Sequence, residues 1–519
     1  MEGVSSRSAR TGFILLLSLL AVAAGAKAIL YDTLDPDLFW HLRVADDLSK
    51  QAFVHPLIDD LSFASIRTPW TPYSWLADLG MKRLWDWGGF RSAVLAQALI
   101  AAGLVTLIGM SALETARIRG RGGEYLAASL AAFCGGFLAL PYLSFRPVTL
   151  ALLLIAVCVW LMLRDMRMKD SSRAVWLIIP ITAVLINIHL YAVFVPAACS
   201  ARLIEEFCHR WTQIHTDEIR GNSGSWVSKI AYLCASVSIC GKTAFLFLGA
   251  LLACLMTPML PGVIAAAWNY QFADVMVRGG VIAEMHPFYQ GQFGWVATGI
   301  VMFIVIAAVF RRRSLSITQW LWIGGSSLAL LRLGRFAPIF AIFSTPSLGA
   351  TLPHLSARVL SRRWTQTALA LLLIAAMVRI GWAFPTGKTP LSTWLNRQEV
   401  GGYPVNATEY VLRSVPRRTG RMICEFTWGG YLEWRLGQNW QVLMDGRTQV
   451  YTAEFWRTVY LGDSQNRKAY LSTLKADAAV LPTTGSVFAD DLTELGWRVV
   501  WKDGRAEVMV PPGDVAASN

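Results

Sequence analysis

The sequence predicts an all-α polytopic membrane bundle that is followed by a small α/β domain. The chain of 519 residues is 55% hydrophobic and only 16% charged, and its mean hydropathy is +0.44. Soluble proteins carry about 25% charged residues, so this composition indicates many helices in lipid. Long apolar runs stop near Pro385, where charged residues return. These observations exclude a soluble protein, a disordered scaffold and a disulfide-rich secreted domain.

About eleven stretches of the chain are apolar enough to cross a bilayer core about 30 Å thick, which takes about 20 residues per helix. They lie near residues 12–30, 92–112, 125–143, 148–163, 174–188, 190–207, 242–260, 293–310, 316–332, 336–352 and 366–384. The segment 174–207 is either one long helix or a hairpin broken at His189. The first stretch is either an uncleaved anchor or a cleaved signal peptide, and its length favours the anchor because signal h-regions span about 7–15 residues.

Basic residues fall in alternate loops, which is the pattern that the positive-inside rule requires. They are Arg7, Arg10, Arg117, Arg119, Arg121, Arg164, Arg167, Lys169, Arg173, Arg311, Arg312, Arg313, Arg358, Arg362 and Arg363. The amino terminus is therefore predicted to be cytoplasmic, and the loop 31–91, the segment 261–292 and the tail from about 385 to be exoplasmic. The net charge of +13 thus reflects topology and a lipid-bilayer partner, and it predicts no nucleic-acid partner.

The predicted division is a transmembrane domain over residues 1–384, which includes the first exoplasmic loop 31–91, and an exoplasmic α/β domain over residues 385–519. In this tail, short β-rich runs alternate with helix-like stretches. The β-rich runs are Met422–Phe426, Gln441–Met444, Ala478–Leu481, Trp497–Trp501 and Ala506–Val510, and the helix-like stretches are Ala453–Tyr460, Arg467–Lys475 and Val487–Leu495.

Two carboxylates open the first exoplasmic loop, directly after the first predicted span. The segment Asp35–Arg43 reads D-P-D-L-F-W-H-L-R. A carboxylate at this depth suits a general base or a cation ligand for a lipid-linked substrate. If Pro36 begins a helix, Asp37 and His41 lie four residues apart on one face. Local physics favours a simpler interpretation, in which Asp35 is the N-cap and Asp37 interacts with the helix dipole.

A second set of ionisable groups lies at predicted exoplasmic helix ends, on the same side as the acidic pair. These groups are Arg146, Asn187 with His189, Glu284 with His286, and Arg332 with Arg335. Charges at this depth usually face a cavity or a partner, and guanidinium groups suit a phosphate or pyrophosphate. Each residue taken singly is better explained by helix capping or by snorkelling to the surface. Together they indicate a shared anion site.

The tail carries glycine and aromatic motifs, Trp428–Trp434 and Asp445–Arg447. A Gly pair permits close approach of another backbone, and the aromatic rings either stack on a sugar or pack in the domain core. The sequence contains no convincing Walker loop or HExxH motif, which argues against nucleotide-driven pumps and zinc proteases.

With these motifs the chain resembles the GT-C superfamily of integral membrane glycosyltransferases, and more closely a bacterial group of polytopic proteins with a D-x-D-x-x-W-H-L-R loop. The resemblance rests on the following matching segments: Asp35–Arg43, Asp59–Phe63, Pro69–Asp78, Arg146-Pro147, Asn187-x-His189, Arg335, Trp428–Tyr431 and Asp445–Arg447. The chain departs from the group at two places. It has Tyr73-Ser74 where relatives carry His-Glu, and 257–260 reads T-P-M-L where relatives show N-P-Y-G.

The resemblance implies a GT-C-like fold and transfer of a sugar from a polyprenyl-phosphate donor to an exoplasmic envelope glycan, lipid or protein. It implies that Asp35 and Asp37 are the catalytic acidic residues, acting as a base or as ligands of a divalent cation such as Mg²⁺ or Mn²⁺; the need for a metal stays open. The substrate-binding residues would be His41, Arg146, His189, Glu284, Arg332 and Arg335. The expected location is the bacterial inner (cytoplasmic) membrane. The alternative is a non-catalytic transporter or assembly subunit for envelope polysaccharide or lipid.

Overall fold

The helices form one bundle that precedes a small sheet. The computed structural model describes residues 2–32, 34–50, 57–65, 69–219, 241–272, 275–279, 281–290, 293–397, 402–414 and 419–513. Before the tail, the described helices of five or more residues are α1 (Glu2–Leu30), α2 (Pro36–Lys50), α3 (Trp75–Ile118), α4 (Tyr125–Ala139), α5 (Pro147–Arg167), α6 (Ile178–Leu185), α7 (Phe194–Ile219), α8 (Gly241–Ala253), α9 (Leu260–Phe272), α10 (Gly294–Phe310), α11 (Ile317–Arg332), α12 (Ala337–Ser344) and α13 (Arg363–Ala383).

Five of the described helices are long and apolar enough to cross a membrane. They are Arg7–Leu30 within α1, then Trp75–Ile118, Tyr125–Tyr142, Pro147–Arg167 and Arg363–Ala383. The chain is therefore an integral membrane protein, as the composition predicted. The remaining predicted stretches also contain helices, but these are shorter, less apolar or interrupted, so the number eleven stays a prediction.

The segment 174–207 forms two helices and not one. Helix α6 ends at Leu185, His189 is extended (φ −161°, ψ 149°), and a 3₁₀ turn over Leu190–Val193 leads into α7. Asn187 explains part of this break, because its amide donates to the carbonyls of Ala183 and Met256, at 2.7 and 2.9 Å. A polar side chain that bonds to neighbouring backbone groups competes with helix continuation.

Helix α3 begins much earlier than the apolar stretch 92–112 that predicted it. Its first part, from Trp75, is rich in aromatic and charged residues, and Gly89 (φ 60°, ψ −150°) separates that part from the apolar remainder. The first part carries Asp78, which is completely buried. Helix α1 packs against α3, and Phe13 and Leu17 lie in the main hydrophobic core.

The tail contains a five-stranded mixed sheet in the order β4-β3-β5-β7-β6. A separate two-stranded ribbon lies in the first loop. The ribbon is β1 (Leu57–Ile58) with β2 (Pro69–Trp70), and the sheet is β3 (Gly420–Cys424), β4 (Trp440–Val442), β5 (Ala478–Pro482), β6 (Arg498–Lys502) and β7 (Ala506–Val510). Strand β3 pairs in parallel with β4 and β5, whereas β7 pairs antiparallel with β5 and β6. All five predicted β-rich runs are strands, so the prediction of a small α/β tail is confirmed.

Helices surround this sheet, as the alternation of the sequence predicted. The described tail helices of five or more residues are α14 (Leu391–Leu395), α15 (Val405–Ser414), α16 (Gly429–Leu436), a π-helical turn at Trp456–Tyr460, α17 (Ser464–Thr473) and α18 (Ala489–Glu494).

The first loop is hydrogen-bonded to the tail. Phe63 N donates to Val442 O at 3.0 Å, Val442 N donates to Leu61 O at 3.1 Å, and Ser62 Oγ donates to Leu443 O at 2.8 Å. Buried backbone groups need such partners, and here the two segments supply them to each other. The loop, the tail and part of the segment 261–292 meet around one cavity, as expected of segments that share one side of the membrane.

Candidate active site

A cavity of about 100 Å³ lies where the start of helix α2 faces the start of α5, beneath the tail. Its walls come from two helices of the bundle, four segments that connect helices, and the tail. The lining residues are Asp37, Trp40, His41, Tyr73, Ser74, Arg146, Pro147, Val148, His189, Ile282, Glu284, Arg335, Phe426, Gly446, Thr448 and Gln449. Tyr73 and Ser74 are part of this wall.

The cavity brings together six of the eight residues that the sequence singled out: Asp37, His41, Arg146, His189, Glu284 and Arg335. Asp35 does not line it but lies behind it, with its carboxylate 3.7 Å from Arg146 Nε. Arg332 does not lie where the sequence analysis expected it, because its side chain is exposed and lies outside the cavity lining. Helix α11 ends at Arg332, and the extended backbone of Leu333 (φ −145°, ψ 130°) turns the chain before Arg335.

Arg146 is at the centre of the charged groups in the cavity. It precedes Pro147, which fills the first position of α5. Its Nη1 lies 3.5 Å from Asp37 Oδ2 and donates to Glu284 Oε1 at 3.3 Å, and its Nη2 donates to Glu284 Oε2. Arg335 Nη1 lies 3.8 Å from Glu284 Oε1. Glu284 therefore bridges two guanidinium groups.

The two cavity carboxylates are shifted in opposite directions. Burial and the adjacent Asp35 raise the pKa of Asp37 to about 6. Burial also opposes ionisation of Glu284, but Arg335 and Arg146 outweigh it and lower the pKa of that carboxyl to about 2. Glu284 is thus ionised near neutral pH, whereas Asp37 is able to exchange a proton there.

Asp35 and Asp37 have different structural roles. The backbone N–H of Asp37 donates to Asp35 Oδ1 at 2.9 Å, so Asp35 caps α2, as local physics favoured. Asp37 Oδ1 instead accepts from Trp40 Nε1 at 3.0 Å, and its side chain faces the cavity. Of the acidic pair, only Asp37 is placed to contact a ligand in the cavity.

His41 is paired with a carboxylate that the sequence analysis did not assign to the site. His41 Nδ1 lies 2.6 Å from Asp78 Oδ1, and Ser74 Oγ donates to both oxygens of Asp78, at 3.1 and 3.3 Å. Asp78 is the last residue of the segment Pro69–Asp78, on which the resemblance partly rests. Nothing in that segment indicated that Asp78 would contact His41. His189 is also held in orientation, because its Nδ1 accepts from Tyr191 N at 3.2 Å.

The glycine motifs of the tail allow it to pack directly on helix α2. A Cβ at Gly446 would lie 2.3 Å from Asp37 Oδ1, and one at Gly430 would lie 3.2 Å from the backbone N of Trp40. The aromatic residues Trp428, Tyr431 and Tyr451 are buried. Of the two interpretations of these aromatic rings, packing in the domain core is therefore the one that applies. The glycines permit the close approach of another backbone.

A buried arginine joins the tail to the first loop. The Arg447 side chain is fully buried; its Nη1 lies 2.7 Å from Asp59 Oδ1, and its Nε donates to both oxygens of Asp445 at 3.0 Å. Glu433 Oε1 lies 3.9 Å from Arg447 Nη2. Burial and the adjacent Asp445 raise the pKa of Glu433 well above its usual range, which favours the protonated form of this carboxyl.

The donor groups of the cavity do not fit a divalent cation. Asp35, Asp37 and Glu284 all lie beside the guanidinium of Arg146, which supplies the positive charge that a metal would otherwise bring. Among the residues that the structure describes, no three His, Cys, Asp or Glu side chains form a group able to hold a metal ion.

Comparison by sequence finds no matching protein-family model and no matching curated protein. Comparison by structure finds archaeal oligosaccharyltransferase AglB from Archaeoglobus fulgidus, in complex with an inhibitory peptide and a dolichol-phosphate. The TM-score is 0.50 at 13% identity, over 90% of this chain and 69% of that one.

ArnT from Cupriavidus metallidurans is similar in two states. The apo protein has a TM-score of 0.52 at 13% identity, over 96% of this chain and 98% of that one. The form bound to undecaprenyl phosphate has a TM-score of 0.50 at 14% identity, over 98% and 100%. The chain thus shares the fold of these membrane proteins, which is the fold that its resemblance to the GT-C superfamily predicted.

Proposed function

We propose that the protein is a membrane glycosyltransferase that moves a sugar from a polyprenyl-phosphate donor to an exoplasmic acceptor. The observation that carries this proposal is the single cavity in which Asp37 of the first loop meets Arg146 and Arg335. The fold supports it, because the similar AglB structure contains a dolichol-phosphate and the similar ArnT structure contains undecaprenyl phosphate.

In the proposed reaction a nucleophilic oxygen of the acceptor attacks the anomeric carbon of the sugar. The bond between that carbon and the phosphate oxygen breaks, and its electron pair leaves with the polyprenyl phosphate. Arg146 and Arg335 stabilise the departing phosphate, because a guanidinium fork matches phosphate oxygens and stays charged. Asp37 is the candidate catalytic carboxylate, since it contacts the space where the acceptor hydroxyl would lie.

The charges of the cavity require a rearrangement when the phosphate binds. Arg146 and Arg335 carry two positive charges, whereas Asp35, Asp37 and Glu284 surround them with carboxylates. A phosphate would add negative charge to this cluster, and like charges at such distances repel strongly. Glu284 already occupies the position between the two guanidinium groups. The phosphate therefore binds by exchange with the Glu284 carboxylate.

The size of the cavity supports the same conclusion. Pockets that hold drug-sized ligands span roughly 300–1,000 Å³, whereas this cavity has about 100 Å³. The cavity is therefore at most about a third of the size of such pockets. Movement of the segment around Glu284 would both release the arginines and enlarge the space.

The proposal also includes the side of the membrane on which the site lies. The basic loops predict a cytoplasmic amino terminus, which places the cavity and the tail on the exoplasmic side of a bacterial inner membrane. The transmembrane domain over 1–384 and the exoplasmic domain over 385–519 would then share the site, because Gly446, Thr448 and Gln449 of the tail line the cavity.

A panel of isotopically labelled polyprenyl-phosphate sugars, incubated with the purified protein and candidate acceptors, tests this function. Arg335→Gln is expected to lower transfer at least 100-fold because it removes a phosphate-binding charge. Arg332→Gln is the matched control, since Arg332 lies three residues away and outside the cavity lining, and it should keep most activity. Equal activity of both variants would contradict the phosphate site.

A non-catalytic transport or assembly subunit needs the cavity and its arginines but not the acidic residue. Asp37→Asn separates the two functions, because it preserves size and hydrogen bonding but removes the charge. Loss of sugar transfer with normal folding supports the enzyme. Survival of the cellular function in this variant would support the non-catalytic role.

A further inference from the structure

His41 and Asp78 form a pair of titratable side chains that the proposed reaction has not yet used. His41 is on α2 and lines the cavity, with its side chain 6% exposed, whereas Asp78 lies behind it on α3 with no exposed surface. Their separation of 2.6 Å is that of a charge-assisted hydrogen bond. Among the described residues, the side-chain hydrogen-bond partners of the Asp78 carboxylate are His41 and Ser74.

This contact fixes which nitrogen of His41 serves the cavity. When the Asp78 carboxylate is ionised it only accepts hydrogen bonds, and Nδ1 of His41 then carries the proton and donates to Asp78. Nε2 is then the unprotonated nitrogen of the neutral ring, free to accept a proton from a cavity ligand. The ring is held further by stacking on Trp40, with the ring centroids 3.5 Å apart. Two contacts thus fix the tautomer and the orientation of one imidazole.

We propose that His41 is the general base of the transfer reaction and that Asp78 is its positioning residue. The inference rests on the proposed function. As the acceptor oxygen bonds to the anomeric carbon, its proton moves to His41 Nε2, and the sugar–phosphate bond breaks with its electrons going to the phosphate. The imidazolium that forms is stabilised by the Asp78 carboxylate. Asp37, one helical turn before His41, orients the acceptor hydroxyl.

The contacts of Asp37 favour this division of roles. Both of its oxygens are engaged, one by Trp40 Nε1 at 3.0 Å and the other by Arg146 Nη1 at 3.5 Å. These contacts hold the Asp37 carboxylate in place, with both oxygens already bonded. His41 differs, because a buried carboxylate lies behind its ring and is placed to stabilise the imidazolium that forms in the reaction. The other titratable or charged groups of the cavity are Asp37, Tyr73, Arg146, His189, Glu284 and Arg335.

The pH profile of transfer separates the two candidate bases. Asp78→Asn should lower kcat about 100-fold or more with KM changed less than about threefold, because an asparagine permits the wrong tautomer of His41. It should also alter the acidic limb of the kcat profile, and Asp78→Glu should restore part of the rate. Asp47→Asn is the control, since Asp47 is on α2, the helix of His41, and its carboxylate lies 3.7 Å from Arg43 Nη1.

Two results would overturn the proposal. One is a kcat of Asp78→Asn within threefold of the unmodified protein. The other is a loss of activity that leaves the acidic limb near pH 6, the pKa of Asp37, since that pattern would make Asp37 the base and Asp78 a structural residue.

A second measurement does not depend on sugar transfer. Diethyl pyrocarbonate modifies an unprotonated imidazole nitrogen, so mass spectrometry should find His41 modified in the unmodified protein and at least fivefold less in Asp78→Asn. Equal modification would contradict the assigned tautomer. Absence of transfer by the unmodified protein, together with this difference, would count against the proposed function while supporting the orientation of His41 by Asp78.

Discussion

Gly446 of the tail lies directly against the carboxylate of Asp37, so closely that a Cβ at this position would be 2.3 Å from Asp37 Oδ1. The same Cβ would lie 2.8 Å from Trp40 Nε1, the donor that holds Asp37. The tail therefore sets the position of the one acidic residue of the first loop that faces the cavity.

Gly446→Ala is expected to displace Asp37 and Trp40 while leaving the bundle folded. We expect transfer to fall at least tenfold, because sub-ångström misplacement of a catalytic group is costly. Gly504→Ala is the control, since a Cβ there meets no atom within 4 Å. Thermal unfolding in detergent should be similar for both variants; unchanged activity of Gly446→Ala would show that this contact has no role in positioning.

The two first-loop carboxylates should respond differently to the same substitution. Asp35→Asn keeps a side chain that caps helices, so we expect a loss of transfer of less than about tenfold. Asp35→Ala should reduce the free energy of unfolding by about 1 kcal/mol because the cap is lost. Asp37→Asn should abolish most transfer without a comparable loss of stability. Kinetics and thermal unfolding on the three variants check this order, and a reversed order would assign the catalytic role to Asp35.

Glu284→Gln should strengthen the binding of a phosphate group. The substitution removes the negative charge that occupies the position between Arg146 and Arg335, so undecaprenyl phosphate should bind at least fivefold more tightly, as measured by a shift of the unfolding temperature with ligand concentration. The direction of the change in affinity separates two roles of Glu284. If Glu284 only positioned the arginines, its substitution would weaken the binding of undecaprenyl phosphate. Glu409→Gln is the control because Glu409 pairs with Arg435 at the surface of the tail.

Glu433→Gln should stabilise the protein at neutral pH. The pKa of this carboxyl is raised in the folded state from its ordinary value of 4.5, so the folded protein holds a proton that the unfolded chain releases. Stability is therefore lost as the pH rises above 4.5, until the folded-state pKa is reached. The amide removes this loss, so its advantage should grow from pH 5 to pH 8 in thermal unfolding. If the difference in stability between Glu433→Gln and the unmodified protein did not change with pH, Glu433 would be ionised in the folded protein.

Local patterns were sufficient to predict the strands of the tail and the helical character of the apolar stretches. The run Ala478–Leu481 is a buried strand as expected, because its hydrophobic, bounded pattern is a local property. The first part of α3 was not predicted, since residues 75–91 are too polar to resemble a membrane span. Few of its residues are buried, and Asp78 is one of them.

The site was predictable where the predicted topology brings helix ends together, and it was not predictable where the orientation of a side chain decides. Arg146, His189 and Glu284 meet as expected from their positions at helix ends. Arg332 and Arg335 are three residues apart but separate, because an extended residue lies between them. Asp78 was missed since its partner His41 is 37 positions away, and nothing local in either segment indicates their contact.

The fully buried contact of Arg447 with Asp59 also bears on how the protein must be handled. A tail prepared without the first loop would lose Asp59 and leave Asp445 as the carboxylate bonded to this guanidinium, and it would also lose the backbone partners that Leu61 and Phe63 give to Val442. Each buried hydrogen-bonding group that loses its partner costs about 1–3 kcal/mol, so these losses together are a large fraction of the total stability of a small domain. Truncated soluble fragments are therefore poor substitutes for the intact chain, and crystallisation or binder selection should start from the full-length protein in a lipid environment.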